Sequence, residues 1–160
     1  MTGAKDFAIG AARIASNAAA VEVDPRLVQR IEQVLIGSPV ARTLGIALVA
    51  LGCDRAVLAL PFSPGNVTLG DTVHGGVIAT LIDVASVAAA VSGADAERLR
   101  GSATAALAVS YLAPAQGAGL CAEAAVVRRG SRQVVADVTV LTDDAAAALV
   151  AKALVTVSLF

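Results

Sequence analysis

Two kinds of apolar pattern alternate along this chain. Near the start, Leu27, Ile31, Val34 and Leu35 recur at helical spacing behind Asp24-Pro25. That pair suits a helix start, because an Asp side chain can accept from the first free N–H groups and proline's fixed φ fits the first turn. Gly37-Ser38-Pro39 predicts the end of the helix. The pattern then changes to short β-type runs, Leu44 to Leu51 and Arg55 to Leu60, with Gly52-Cys53-Asp54 between them as a hairpin connection. The turn formers from Pro61 to Asp71 predict a loop.

From Gly75 to Val91 the chain is apolar nearly all the way round, which predicts a helix enclosed on every side. Its many small residues, among them Ala79, Ala85, Ala88, Ala89 and Ala90, would let a sheet come close. After a polar break from Ser92 to Gly101 come four β-type runs: Ala103 to Leu112, Leu120 to Arg128, Gln133 to Leu141 and Ala148 to Leu159. One long buried helix succeeded by a meander predicts an α+β hotdog fold, an antiparallel β-sheet wrapped around one long central helix.

Composition narrows the function classes. Apolar residues make up 57% of the chain, which would suit a membrane protein if they were gathered into a span. They are not: Val77 to Val91 falls short of the roughly 20 residues a bilayer needs and carries Asp83 in its middle. A filled core with subunit contacts accounts for the excess, and no membrane association is expected. The 160 residues suit one domain, 24–160, behind an Ala-rich extension, 1–23, either disordered or loosely helical. Asp6, Arg13 and Asn17 interrupt any signal-like apolar run, so a cytoplasmic protein is expected. Cys53 and Cys121 have no metal-ligand spacing and read as free thiols. A net charge of −1 and only four aromatic residues argue against a nucleic-acid partner.

Chemistry concentrates around Asp83, the only charged residue between Asp71 and Asp95. Burying a carboxylate is costly unless it is paired or used. Gly75 and Gly76 open the helix, where backbone N–H groups lack intrahelical partners, the dipole favours negative charge, and a carbonyl can approach closely. His74 is the only histidine, which excludes a multi-histidine metal site; it braces the turn or positions a substrate carbonyl. Ser86 lies one helical turn beyond Asp83 and could bond its carboxylate or a water. Gly75 and Asp83 are eight residues apart, about 12 Å at 1.5 Å per residue, too far to serve one carbonyl from the same helix. A two-fold pair of antiparallel helices would bring one chain's glycine to the other's aspartate.

Three segments resemble the phenylacetate-type (PaaI-like) branch of the hotdog thioesterases: Val73-His74-Gly75-Gly76 running on to Asp83, Val109-Ser110-Tyr111-Leu112-Ala113-Pro114, and Ala124 to Arg132 with its valine-arginine-glycine hairpin. The resemblance covers roughly residues 39–160. It implies an acyl-CoA thioesterase with catalytic Asp83, Gly75 and His74, and an Asn before the histidine for which Asn66 is the candidate, although eight positions upstream is a longer spacing than the family's. Gly76, Ser86 and Tyr111 would meet the substrate, Tyr111 in the acyl pocket. Arg128, Arg129 and Arg132 would face coenzyme A phosphates, which guanidinium groups recognise well. No metal and no separate cofactor are expected, coenzyme A being part of the substrate. A homodimer is the minimum assembly and a homotetramer the expectation. An acyl-ACP thioesterase and a non-catalytic acyl-CoA-binding protein are the alternatives, and the acidic residue at 83 favours an enzyme over a binder. The acyl group is not legible.

Overall fold

In the computed structural model, which describes residues 22–160, the first helix opens at Asp24, as the sequence suggests. All of the expected Ala-rich extension but its last two residues lies outside the described residues. The Asp24 carboxylate accepts the Arg26 N–H at 2.9 Å, and Pro25 takes the first position of α1, Pro25–Arg30. The helix winds on as a wider π-helical segment, Ile31–Ile36, and stops at Gly37.

The next segment departs from expectation. Ser38-Pro39 not only ends one helix but starts another, α2, Pro39–Leu44, with the Ser38 hydroxyl accepting from Ala41 N–H and Gly45 closing it in the left-handed region at φ 75°. The same Ser-Pro pair is a start signal, and a glycine six residues on is the matching stop. Strand β1 therefore spans Ala47–Gly52 rather than starting at Leu44. β2 covers Arg55–Leu60. Within the expected loop the chain makes a 3-10 turn, Pro64–Asn66, and a small hairpin of β3, Val67–Leu69, and β4, Thr72–Val73.

The central helix α3 spans Gly75–Ser92. Strands β5, Ser102–Tyr111, β6, Leu120–Arg129, β7, Gln133–Thr142, and β8, Leu149–Leu159, match the expected runs to within a residue or so. All pairings in the six-stranded sheet are antiparallel and its order is β1-β2-β6-β7-β8-β5, so β1 and β5 are the edges. Alternate residues of the sheet, including Leu58, Leu60, Leu120, Val134, Val138, Val140, Val155 and Val157, point inward and are fully buried against α3. The small residues Ala85, Ala88 and Ala89 let them close on it. α3 is long and apolar enough to cross a bilayer, but this sheath makes it the core helix of the fold.

The enclosure is incomplete, which corrects the expectation of a helix buried on every side. Residues 84–92 are buried throughout, yet Gly76, Ala79, Thr80 and Asp83, spaced as one face of the helix, stay uncovered or half-covered. The sheet runs out on that side: β5 is the edge strand, and most of its residues are exposed.

Candidate active site

The turn before α3 is built by local bonds that consume almost every free donor. His74 is the N-cap, and its Nδ1 accepts the Gly76 N–H at 2.8 Å. The N–H groups of Val77 and Ile78 both reach the His74 carbonyl. Among the first four amides of α3, that leaves the Gly75 N–H without an acceptor among the described residues, on a half-exposed residue at the positive end of the helix. Gly76 therefore does not supply the second donor expected of it, because its N–H caps the helix through the imidazole. An Nδ1 that accepts is unprotonated, so the neutral His74 ring carries its hydrogen on Nε2 and offers it outward from an exposed residue.

Asn66 is brought to this turn despite its long spacing. The His74 N–H donates to the Asn66 carbonyl at 2.8 Å, because the β3–β4 hairpin folds the intervening residues back on themselves. Asn66 itself is half-buried, at the end of the 3-10 turn. Tyr111, at the end of β5, also reaches it: its hydroxyl donates to the Gly75 carbonyl at 2.8 Å.

Asp83 lies two helical turns further along the open face, half-buried in the single chain. Its Oδ1 accepts from the Thr104 hydroxyl of β5 at 2.5 Å, which fixes the carboxylate toward the edge strand and leaves Oδ2 for another partner. Strand alternation alone does not point to Thr104, for a definite reason. Counting back in twos from Tyr111 puts Ala105, not Thr104, on the inward face; a β-bulge between Thr104 and Ala106 shifts the register by one and turns the threonine toward the helix. Ser86 takes a different part from the one expected: it is fully buried and donates to the Asp83 main-chain carbonyl at 2.8 Å, not to the carboxylate. In a helix interior without water, that bond is how a serine is satisfied.

The three hairpin arginines divide. Arg129 is tied down, donating through Nε to Asp54 at 3.0 Å, through Nη2 to the same oxygen, and through Nη2 to the Ala90 carbonyl at 2.8 Å. It joins the β1–β2 turn to the C-terminal end of α3, where a cation complements the helix dipole, and Gly93, lacking a Cβ, leaves room for the pair. Arg129 thus clamps the β1–β2 turn to α3. Arg128 and Arg132 are exposed and line a cavity of about 590 Å³ with Ser131, Gln133 and Ser158. A further cavity of about 910 Å³, between α1 and β1, lies at the opposite edge of the sheet from β5 and contains none of these residues. No group of three or more His, Cys, Asp or Glu side chains is placed to hold a metal ion among the described residues.

Residues 70–149 match the family model of the thioesterase superfamily. The chain belongs to that superfamily. A protein of Halobacterium salinarum named as an esterase is 49% identical over 106 residues, 62% of this chain and 67% of that one. The superfamily fold extends over nearly all the described residues. The Escherichia coli PaaI protein from the phenylacetic acid degradation operon superposes with a TM-score of 0.74, over 87% of this chain and 96% of that one, at 20% identity. A thioesterase of Streptococcus pneumoniae, solved with coenzyme A, gives 0.62 over 72% and 85% at 20% identity. At those identities the likeness establishes the hotdog fold. Hydrolysis of a thioester is the reaction class that superfamily membership gives this chain.

Proposed function

We propose that this superfamily member hydrolyses acyl-CoA thioesters at sites shared between two copies of the chain. The observation that carries the reading is the open face of α3. Asp83, held by Thr104, and the free Gly75 N–H sit on one continuous helix, about 12 Å apart along its axis, beside an edge strand with no partner on its outer side among the described residues. Unpaired edges of this length are normally covered. A second copy related by a two-fold axis, with the helices antiparallel, would cover both the strand and the face, and bring Gly75 of the partner subunit to Asp83.

At such a site the thioester oxygen lies against the Gly75 N–H, which strengthens its bond as negative charge develops there. Nε2–H of His74, from the same turn, is a second donor on that side. Asp83 takes a proton from water through Oδ2 while Thr104 holds Oδ1, and the water attacks the carbonyl carbon. The carbon–sulfur bond then breaks, the proton held by Asp83 passes to the departing sulfur, and the acid and coenzyme A leave with the carboxylate restored. Arg128 and Arg132, exposed at the hairpin tip, suit the nucleotide phosphates, and the neighbour solved with coenzyme A supports that carrier.

The test is a panel of aromatic, short, medium and long acyl-CoAs assayed by free-thiol release. Asp83→Asn should keep the shape of the side chain and lower kcat by roughly 10²- to 10⁴-fold, and Thr104→Val should give a smaller loss. Near-native turnover in Asp83→Asn removes the aspartate from the mechanism.

A further inference from the structure

Resting on that reading, we infer that Tyr111 is a positioning residue for the Gly75 amide and not a wall of the acyl pocket. Gly75-Gly76 is the pair of residues in the helix with the most backbone freedom, yet a donor that stabilises an oxyanion must be aimed before the charge appears. The peptide unit joining these two glycines is held at both ends. Its N–H donates to His74 Nδ1 at 2.8 Å, and its carbonyl accepts the Tyr111 hydroxyl at 2.8 Å. The adjoining peptide, which carries the free Gly75 N–H, is held through its His74 carbonyl by the Val77 and Ile78 N–H groups at 2.9 and 3.1 Å, so with the Gly75–Gly76 plane also fixed by Tyr111, Gly75 cannot rock about its own φ and ψ.

The ring is placed for this task by the sheet. Tyr111 pairs with Ala151 of β8, which turns its side chain to the inner face, over the turn. Its ring atoms lie 3.5 Å from where a Cβ at Gly75 would stand. The hydroxyl is not needed to hold the segments together, because main-chain bonds already do so: Val73 N–H to the Ala115 carbonyl at 2.9 Å, and His74 N–H to the Asn66 carbonyl at 2.8 Å. Tyr111 is also 52% exposed, so removing its hydroxyl strands no buried group on the tyrosine side. What the hydroxyl adds is the orientation of one peptide.

Tyr111→Phe keeps the ring and deletes only that bond. Removing an oxyanion donor outright costs about 10²- to 10³-fold in kcat; loosening one should cost about tenfold. The expected result is a kcat lowered about tenfold by the same factor for short, long and aromatic acyl-CoAs, with KM unchanged and the melting temperature held. Amide exchange measured by NMR should quicken at Gly76, whose N–H is bonded to His74, and not in the second half of α3. A loss that varies with acyl size or falls on KM would overturn the inference and make Tyr111 a pocket wall, and so would native kcat with unchanged exchange. Absence of turnover in the native protein across the panel would instead sink the thioesterase reading itself and this inference with it, so the two failures are told apart by the native rate.

Discussion

Mixing two inactive variants should restore about a quarter of the native activity. The variants are Gly75→Val and Asp83→Ala, one at each end of the open face of α3. The structure shows the helix unbroken between them, and eight residues at about 1.5 Å each give about 12 Å, whereas groups acting on one carbonyl sit within about 3 to 3.5 Å of its atoms. Each homodimer then lacks one half of both its sites. A mixed dimer gathers both defects into one site and leaves the other built from two native halves. Random exchange puts about half the molecules in mixed dimers, each with one of two sites intact, hence about a quarter of the native rate if the sites are independent. Gly75→Val should fold, since a Cβ there meets the Tyr111 ring at 3.5 Å, an ordinary contact, and needs no unusual φ. The assay is thiol release after equal amounts are refolded together, with subunit exchange tracked by native mass spectrometry. Exchange without recovered activity would refute a site shared between subunits.

Arg129→Ala should act on stability and not on substrate binding: loss of charge-assisted bonds to Asp54 and Ala90 costs about 2 to 3 kcal/mol, or a fall of about 4 to 12 °C in Tm for a chain of this length, read by calorimetry with KM unchanged. Arg128→Ala with Arg132→Ala should do the reverse, raising KM for CoA esters and not for truncated pantetheine esters; equal losses on both would mean these side chains do not meet the nucleotide. Cys121, whose thiol is pushed up to about 11 by burial and then by Glu123 and Asp143, should resist iodoacetamide at pH 8 far longer than the same cysteine in urea. Because the unfolded thiol ionises first, near its ordinary value of 9.0, this group's contribution to stability is complete below pH 9 and is lost as the pH rises to about 11, which pH-dependent urea melts of native and Cys121→Ala proteins would resolve.

The periodicity of apolar residues was enough to determine the architecture. A helix that is apolar nearly all round but carries Asp83 in its middle reads as a core element, and four alternating runs behind it read as a sheet that covers it. Asp83, alone among apolar neighbours, and the His74-Gly75-Gly76 turn were legible for the same reason: each breaks a pattern that folding alone would keep. Local signals failed where they carry two meanings. Ser38-Pro39 both ends a helix and begins one, and α2 was hidden behind that ambiguity. Roles that depend on which atom meets which were decided by tertiary structure alone. The bulge in β5 turned Thr104 rather than Ala105 toward Asp83. Asp54, 75 residues from Arg129 along the chain, tied that arginine down and left Arg128 and Arg132 exposed. The imidazole of His74 used the Gly76 amide and thereby singled out that of Gly75. Sequence spacing specifies which face of an element a residue occupies, because helix and strand periods are fixed; which neighbour it meets there depends on register, bulges and closure of the chain, which are properties of the assembled sheet and helix together.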